Sequence, residues 1–124
     1  MYDLYSKAYT PFEWHKELFS YANEIGITLF SSPFDETAVD LLDSLGALAF
    51  KVASFEIVDL PLIKYFARKQ KPILMSIGMA SLEEIGDALE AAKSIGNDNI
   101  LLFHCISSYP APLPEANLNM IQIL

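Results

Sequence analysis

The chain has 124 residues, of which 52% are hydrophobic and 19% charged, a balance that belongs to folded globular material and excludes a disordered tail. Its net charge of −8, with eight Lys and Arg scattered along the chain, excludes a nucleic-acid surface, which needs clustered basic side chains. Cys105 is the single cysteine, which excludes an internal disulfide and a cysteine-rich metal cluster and leaves it the role of a small apolar core residue in a reducing compartment.

No apolar run is long enough to span a bilayer, and Met1-Tyr2-Asp3-Leu4 lacks the basic start and apolar core of a signal peptide. A cytoplasmic chain without membrane contact is the expectation. Residues 1–12 are mixed in character, with Thr10 offering a helix N-cap, Pro11 a first helical position and Glu13 an acid in the first turn. Trp14, Leu18, Tyr21, Ala22 and Ile25 then repeat at helical spacing until Gly26, predicting a crossover helix in which Trp14 and His15 serve packing and surface. A strand over 27–31 follows and is broken by Ser32-Pro33-Phe34-Asp35. A helix over about 36–45 buries Ala38, Val39, Leu42 and Leu45, and Gly46 stops it.

The next strand, roughly 48–53, carries Phe50-Lys51-Val52-Ala53-Ser54-Phe55-Glu56. A lysine inside an apolar run is costly unless something anionic meets it, the alternative being a strand-edge lysine whose stem runs along apolar surface to water. A short helix near 60–69 follows, with Pro61 in its first turn and Leu62, Ile63, Phe66 and Ala67 on its inner face. Lys69-Gln70-Lys71-Pro72 turns into a strand over 73–76. Gly78 beyond it allows close approach of the backbone to a ligand, a positive φ, or a simple turn.

Ser81 and Glu84 have capping-box spacing, Leu82, Ile85, Ala88, Leu89 and Ala92 form an inner face, and Glu83, Glu84, Asp87 and Glu90 a solvated one. Gly96-Asn97-Asp98-Asn99 leads to a last strand over 100–106, in which His104 reads as a hydrogen-bonded core residue because a metal site needs several convergent ligands. The three prolines of 107–114 forbid a regular element and make either a rigid loop that holds Tyr109 over the strand ends or a spacer. A helix is expected to begin at Glu115.

Four strands thus finish in hydroxyls, at Ser32, Ser54, Ser76 and Ser107. With helices between them the strands are expected to be parallel and to end on one edge, where α/β sheets and barrels bind ligands. A row of hydroxyls with one ammonium suits a phosphate or carboxylate, although serine is also common in turns and caps. The fold class is α/β. About four consecutive parallel βα units fall short of a closed (β/α)₈ barrel, which takes roughly 250 residues, so residues 1–124 are expected to be the central portion of a TIM-barrel domain with no second domain. An open flavodoxin-like sheet is the alternative.

Phe30-Ser31-Ser32-Pro33-Phe34-Asp35, Lys51-Val52-Ala53-Ser54-Phe55-Glu56, Ser76-Ile77-Gly78-Met79 and Cys105-Ile106-Ser107-Ser108-Tyr109-Pro110-Ala111-Pro112 together resemble the sialic acid synthase family, from about Leu4 to Leu124. Ala8-Tyr9-Thr10-Pro11-Phe12-Glu13-Trp14-His15, and Phe55 where neuraminate synthases tend to have glycine, resemble its pseudaminic branch. The resemblance implies a TIM barrel, a homodimer when complete, that condenses phosphoenolpyruvate with an N-acylated amino sugar to give a nine-carbon acid sugar and phosphate. In the pseudaminic branch the sugar is 2,4-diacetamido-2,4,6-trideoxy-altrose; N-acetylneuraminate and legionaminate synthesis are the alternatives.

By the same resemblance Lys51 is the catalytic candidate and, with Ser32, Ser54 and Ser76, holds the phosphate and carboxylate of phosphoenolpyruvate. Glu56 and Tyr109 match positions near the sugar, Ser107 stands where neuraminate-type members place asparagine, and Ile77 replaces a common threonine, implying one donor fewer. A divalent metal, Mn or Mg, is implied to polarise the aldehyde. Its two histidine ligands come from later strands, and an acid and a second lysine from earlier ones, so none lies in this chain. A reading of another class is a non-catalytic half barrel that binds an anion or pairs with a second copy to cover its open strand edges.

Overall fold

The computed structural model of the chain describes residues 2–124, apart from the side chains of Tyr2 and Tyr5. Its helices are α1 (Tyr2–Ala8), α2 (Phe12–Glu24), α3 (Glu36–Ser44), α4 (Leu60–Arg68) and α5 (Leu82–Lys93), and its strands are β1 (Phe50–Val52), β2 (Ile73–Ser76) and β3 (Ile100–Phe103). The strands form one parallel sheet in the order β1-β2-β3, with Lys51 opposite Leu74 and Leu74 opposite Leu101. Each crossover carries a helix, so all three strands end on the same edge.

Alternation along the strands decides which face is covered. Phe50, Val52, Ile73 and Met75 are buried in one cluster with Leu62, Ile63, Phe66 and Ala67 of α4 and Ile85, Ala88, Ala91 and Ala92 of α5. The Phe50 and Phe66 rings meet at 5.6 Å, tilted by 44°. Lys51, Leu74 and Leu101 point to the opposite face, where Leu101 is 57% exposed. Asn97 sits fully buried between the turns that precede β2 and β3, donating to the Lys71 carbonyl at 2.9 Å and accepting from the Asn99 N–H at 3.0 Å. It sets the start of both strands.

Local signals place most helix starts. Asp35 accepts the Ala38 N–H at 2.9 Å and the Thr37 hydroxyl at 2.6 Å, and those two donors, the hydroxyl first, hold its carboxyl below its ordinary value. Asp59 accepts the Leu62 N–H, and Ser81 and Glu84 close the expected capping box. Gly26 and Gly46 end α2 and α3 at φ +74° and +78°, a conformation glycine adopts without strain.

Several expectations are corrected. The segment 27–31 is not a strand: it makes one parallel bridge, Ser31 with Phe50, because only its last residue comes close enough to β1 to pair. With so short an edge to roof, α2 buries Ala22 alone of its stripe and leaves Trp14 and Tyr21 59% and 60% exposed. Pro11, not Thr10, occupies the N-cap position of α2, and no side chain caps that helix. Ala91 belongs to the inner face of α5, whereas Leu82, in the first turn, extends past the packed layer and is exposed. Residues 2–8 are helical despite lacking an apolar stripe. The loop of prolines holds a short 3₁₀ turn, Leu113–Glu115, and the helix expected from Glu115 is instead a second 3₁₀ segment, Leu118–Gln122, set apart by Asn117 in the left-handed region.

Among the described residues no helix is long and apolar enough to cross a membrane. At the N-terminal edge of the sheet, Lys69 Nζ bridges Asp40 (2.7 Å) and Asp43 (3.3 Å), and Lys71 Nζ meets Asp43 at 2.6 Å. Hydrogen bonds from Lys69 lower the Asp40 carboxyl, and those from Lys71 lower that of Asp43. A lowered folded value means that the stabilisation is fully present above the ordinary 3.8 and is lost as the pH falls through the folded value. Urea midpoints measured from pH 7 to pH 2 are expected to fall across that window and to fall less in Asp43→Asn. The difference is small, because these side chains are 22–54% exposed.

Candidate anion site at the strand ends

The site grows from β1. Lys51 lies mid-strand, half-buried, on the face opposite Phe50 and Val52, and its backbone N–H donates to the Ser31 carbonyl at 3.1 Å. Continuing the Ser31–Phe50 register places Ser32 beside Lys51. Leu74 is the partner of Lys51 on β2, and Ser76, two residues further along, shares their face; it is buried and ends its strand opposite Phe103. Ammonium and hydroxyl thus stand on adjacent strands and on one face. Among the described residues Lys51 makes no ion pair, while Lys69 and Lys71 are engaged at the other end of the sheet.

Ser54 lies in the turn after β1, its Oγ 3.5 Å from Cys105 Sγ, which brings the end of β1 to the end of β3 over the top of β2. Ser107 is exposed just beyond, with its hydroxyl against Gly78. Glu56 opens a 3₁₀ turn, Glu56–Val58, and its Oε2 is buried without a hydrogen-bond partner among the described residues. A buried carboxylate oxygen of this kind needs a donor, which a hydroxyl or an amide N–H supplies. Ser32 also lines a cleft of about 490 Å³ together with Thr10, His15, Phe34 and Asp35.

Of the two alternatives for the loop of prolines, the structure does not support the one that covers the strand ends. Tyr109 is 94% exposed, so the loop does not lay its ring over the strand ends. Ile77 belongs to the buried core on the helix side, one residue out of phase with Ser76. Its side chain packs with that core and carries no hydrogen-bond donor. Cys105 was expected in the core and is instead half-buried beside Ser54. Its signal was parity: two residues past Phe103, the partner of Ser76, it continues that face.

Both histidines are committed to the backbone. His104 Nε2–H donates to the Ala116 carbonyl at 2.8 Å, as a hydrogen-bonded histidine should, and His15 Nδ1–H donates to that of Pro11 at 3.1 Å. Among the described residues no three His, Cys, Asp or Glu side chains converge, so the donor set here does not fit a divalent metal.

The chain is similar to known proteins along its whole length. The NeuB family model matches residues 1–124. Pseudaminic acid synthase of Helicobacter pylori is 48% identical over 118 residues, which is 95% of this chain and 35% of that protein. N,N'-diacetyllegionaminic acid synthase of Campylobacter jejuni is 46% identical over 112 residues, 89% of this chain and 34% of that protein. The crystal structure of N-acetylneuraminic acid (sialic acid) synthetase from Leptospira borgpetersenii superposes with a TM-score of 0.92 at 30% identity, over 98% of this chain and 42% of that one. The parallel βα array is therefore part of a TIM barrel. The chain spans about a third of the length of these curated relatives.

Proposed function

Because this chain belongs to the NeuB family, we propose that it is the central portion of a synthase barrel that condenses phosphoenolpyruvate with an N-acylated amino sugar, giving a nonulosonic acid and phosphate. The observation that carries this reading is the placement of Lys51 and Ser76 on one sheet face, with Ser32 and Ser54 at the same edge. Phosphoenolpyruvate presents a phosphate and a carboxylate, and an ammonium with fixed hydroxyls binds both and orients C3 toward the second reactant. The new bond joins C3 of phosphoenolpyruvate to the aldehyde carbon of the open-chain sugar, and the aldehyde oxygen takes a proton. Water then adds at C2, and the bridging C–O bond breaks to release phosphate.

In this scheme Lys51, Ser54 and Ser76 hold the anion and Glu56 accepts a hydrogen bond from the sugar, satisfying its orphaned Oε2. Ser107 and, on closure of its exposed loop, Tyr109 lie on the sugar side. A divalent cation would draw its ligands from outside these 124 residues and would polarise the aldehyde when bound.

The sugar is assigned to the pseudaminic branch on Phe55, which is 70% exposed at the strand-end rim and free to meet the methyl group of a 6-deoxy sugar. Phosphate release by the complete protein is expected to be faster with 2,4-diacetamido-2,4,6-trideoxy-altrose than with N-acetylmannosamine. Phe55→Gly should narrow that preference by about tenfold, the size of one lost apolar contact. A complete enzyme that prefers N-acetylmannosamine would remove the sugar assignment; one that releases no phosphate with any amino sugar would remove the synthase itself.

A second reading concerns the 124-residue polypeptide by itself. Leu101, Trp14 and Tyr21 leave more than half of their surface exposed, apolar area that a second copy would cover if the polypeptide stood alone as a non-catalytic half barrel. Size-exclusion chromatography together with phosphate release separates the two.

A further inference from the structure

Gly78 follows β2 by two residues and lies against the segment that leaves β3. A Cβ at this position would stand 2.5 Å from the Cys105 carbonyl oxygen, 2.8 Å from Ser107 Oγ and 3.0 Å from Cys105 Sγ. The closest of these atoms is backbone, so no rotamer change relieves the clash and the segment 105–107 would have to move. Its φ lies outside the left-handed region, so what position 78 requires is space and not a special backbone conformation. On its far side Cys105 Sγ reaches Ser54 Oγ at 3.5 Å. The hydroxyls of Ser54 and Ser107, from two different loops, are thus both referred to the one place where β2 ends without a side chain.

We propose that Gly78 is a positioning residue: its bare backbone seats the Cys105–Ser107 segment so that the Ser107 hydroxyl faces the amino sugar at a fixed distance from Ser54 on the phosphoenolpyruvate side. The proposal rests on the synthase reading of those two serines. Neither Gly78 nor Cys105 needs to touch a reactant. The closely packed contact transmits displacement, since backbone held against backbone has no slack.

The test is a double-mutant cycle in the complete synthase, with Gly78→Ala, Ser107→Ala and the double variant, reading kcat and KM for each substrate. Gly78→Ala is expected to raise the KM for the amino sugar about tenfold when Ser107 is present and less than about twofold when it is alanine, because residues acting through one contact are not additive. Equal effects in both backgrounds would overturn the proposal, since a merely structural loosening multiplies independently. If Gly78→Ala does not fold, a Cys105→Ala and Ser107→Ala cycle read on the KM for the amino sugar takes its place, since Cys105 Sγ packs on the same position. Coupling of about fivefold supports the packed contact, and independent effects overturn it. A wild-type enzyme that consumes no phosphoenolpyruvate overturns the functional reading first, and this inference with it.

Discussion

Lys51→Ala in the complete enzyme is expected to raise the KM for phosphoenolpyruvate by about a hundredfold or more, to the point where saturation is lost, as truncating one partner of a desolvated charge pair does. The magnitude follows from the absence of a substitute. Lys69 and Lys71, which precede β2, are tied to Asp40 and Asp43 at the opposite edge of the sheet. Lys51→Met, which keeps the apolar stem, should fail almost as badly, separating charge from packing. A near-normal KM in either variant would end the assignment of Lys51 to the anion.

Phe66→Ala should be the most damaging substitution for the fold, costing about 3–5 kcal/mol in urea unfolding. Phe66 is fully buried and packs its ring on Phe50, the residue next to Lys51, so it joins α4 to β1 at the base of the site. The cavity would lie between sheet and helix layer, where close-packed neighbours on β2 and α5 limit collapse. A loss below about 1 kcal/mol would mean that α4 does not carry the packing assigned to it.

The parts of the fold that were legible in the sequence are those encoded within a few residues. The Ser81–Glu84 capping box, the inner face Leu62, Ile63, Phe66 and Ala67, and the strand over 73–76 were all read as they stand, because caps and periodicity are local. The parts that failed depend on distant neighbours. Ile27, Thr28, Leu29 and Phe30 have the composition of a strand, yet pairing needs an adjacent backbone along their length and they find it only at Ser31. Leu82 keeps the correct helical phase and still projects past the layer it was expected to join.

The candidate site divides the same way. The face shared by Lys51 and Ser76 follows from parity and register, so it was within reach of sequence reasoning. The approach of Cys105 to Ser54 joins positions 51 residues apart and depends on how two separate loops fold, which no local pattern encodes. Ile77, one residue from Ser76, lies on the other face and belongs to the core, as alternation along a strand places it.

The most direct test of the central claim is a crystal structure of the complete protein soaked with phosphoenolpyruvate. The phosphate and carboxylate oxygens are predicted to lie within hydrogen-bond distance of Lys51 Nζ and of the Ser54 and Ser76 hydroxyls. Phosphoenolpyruvate bound away from the C-terminal edge of these strands, with Lys51 turned to solvent, would contradict the account.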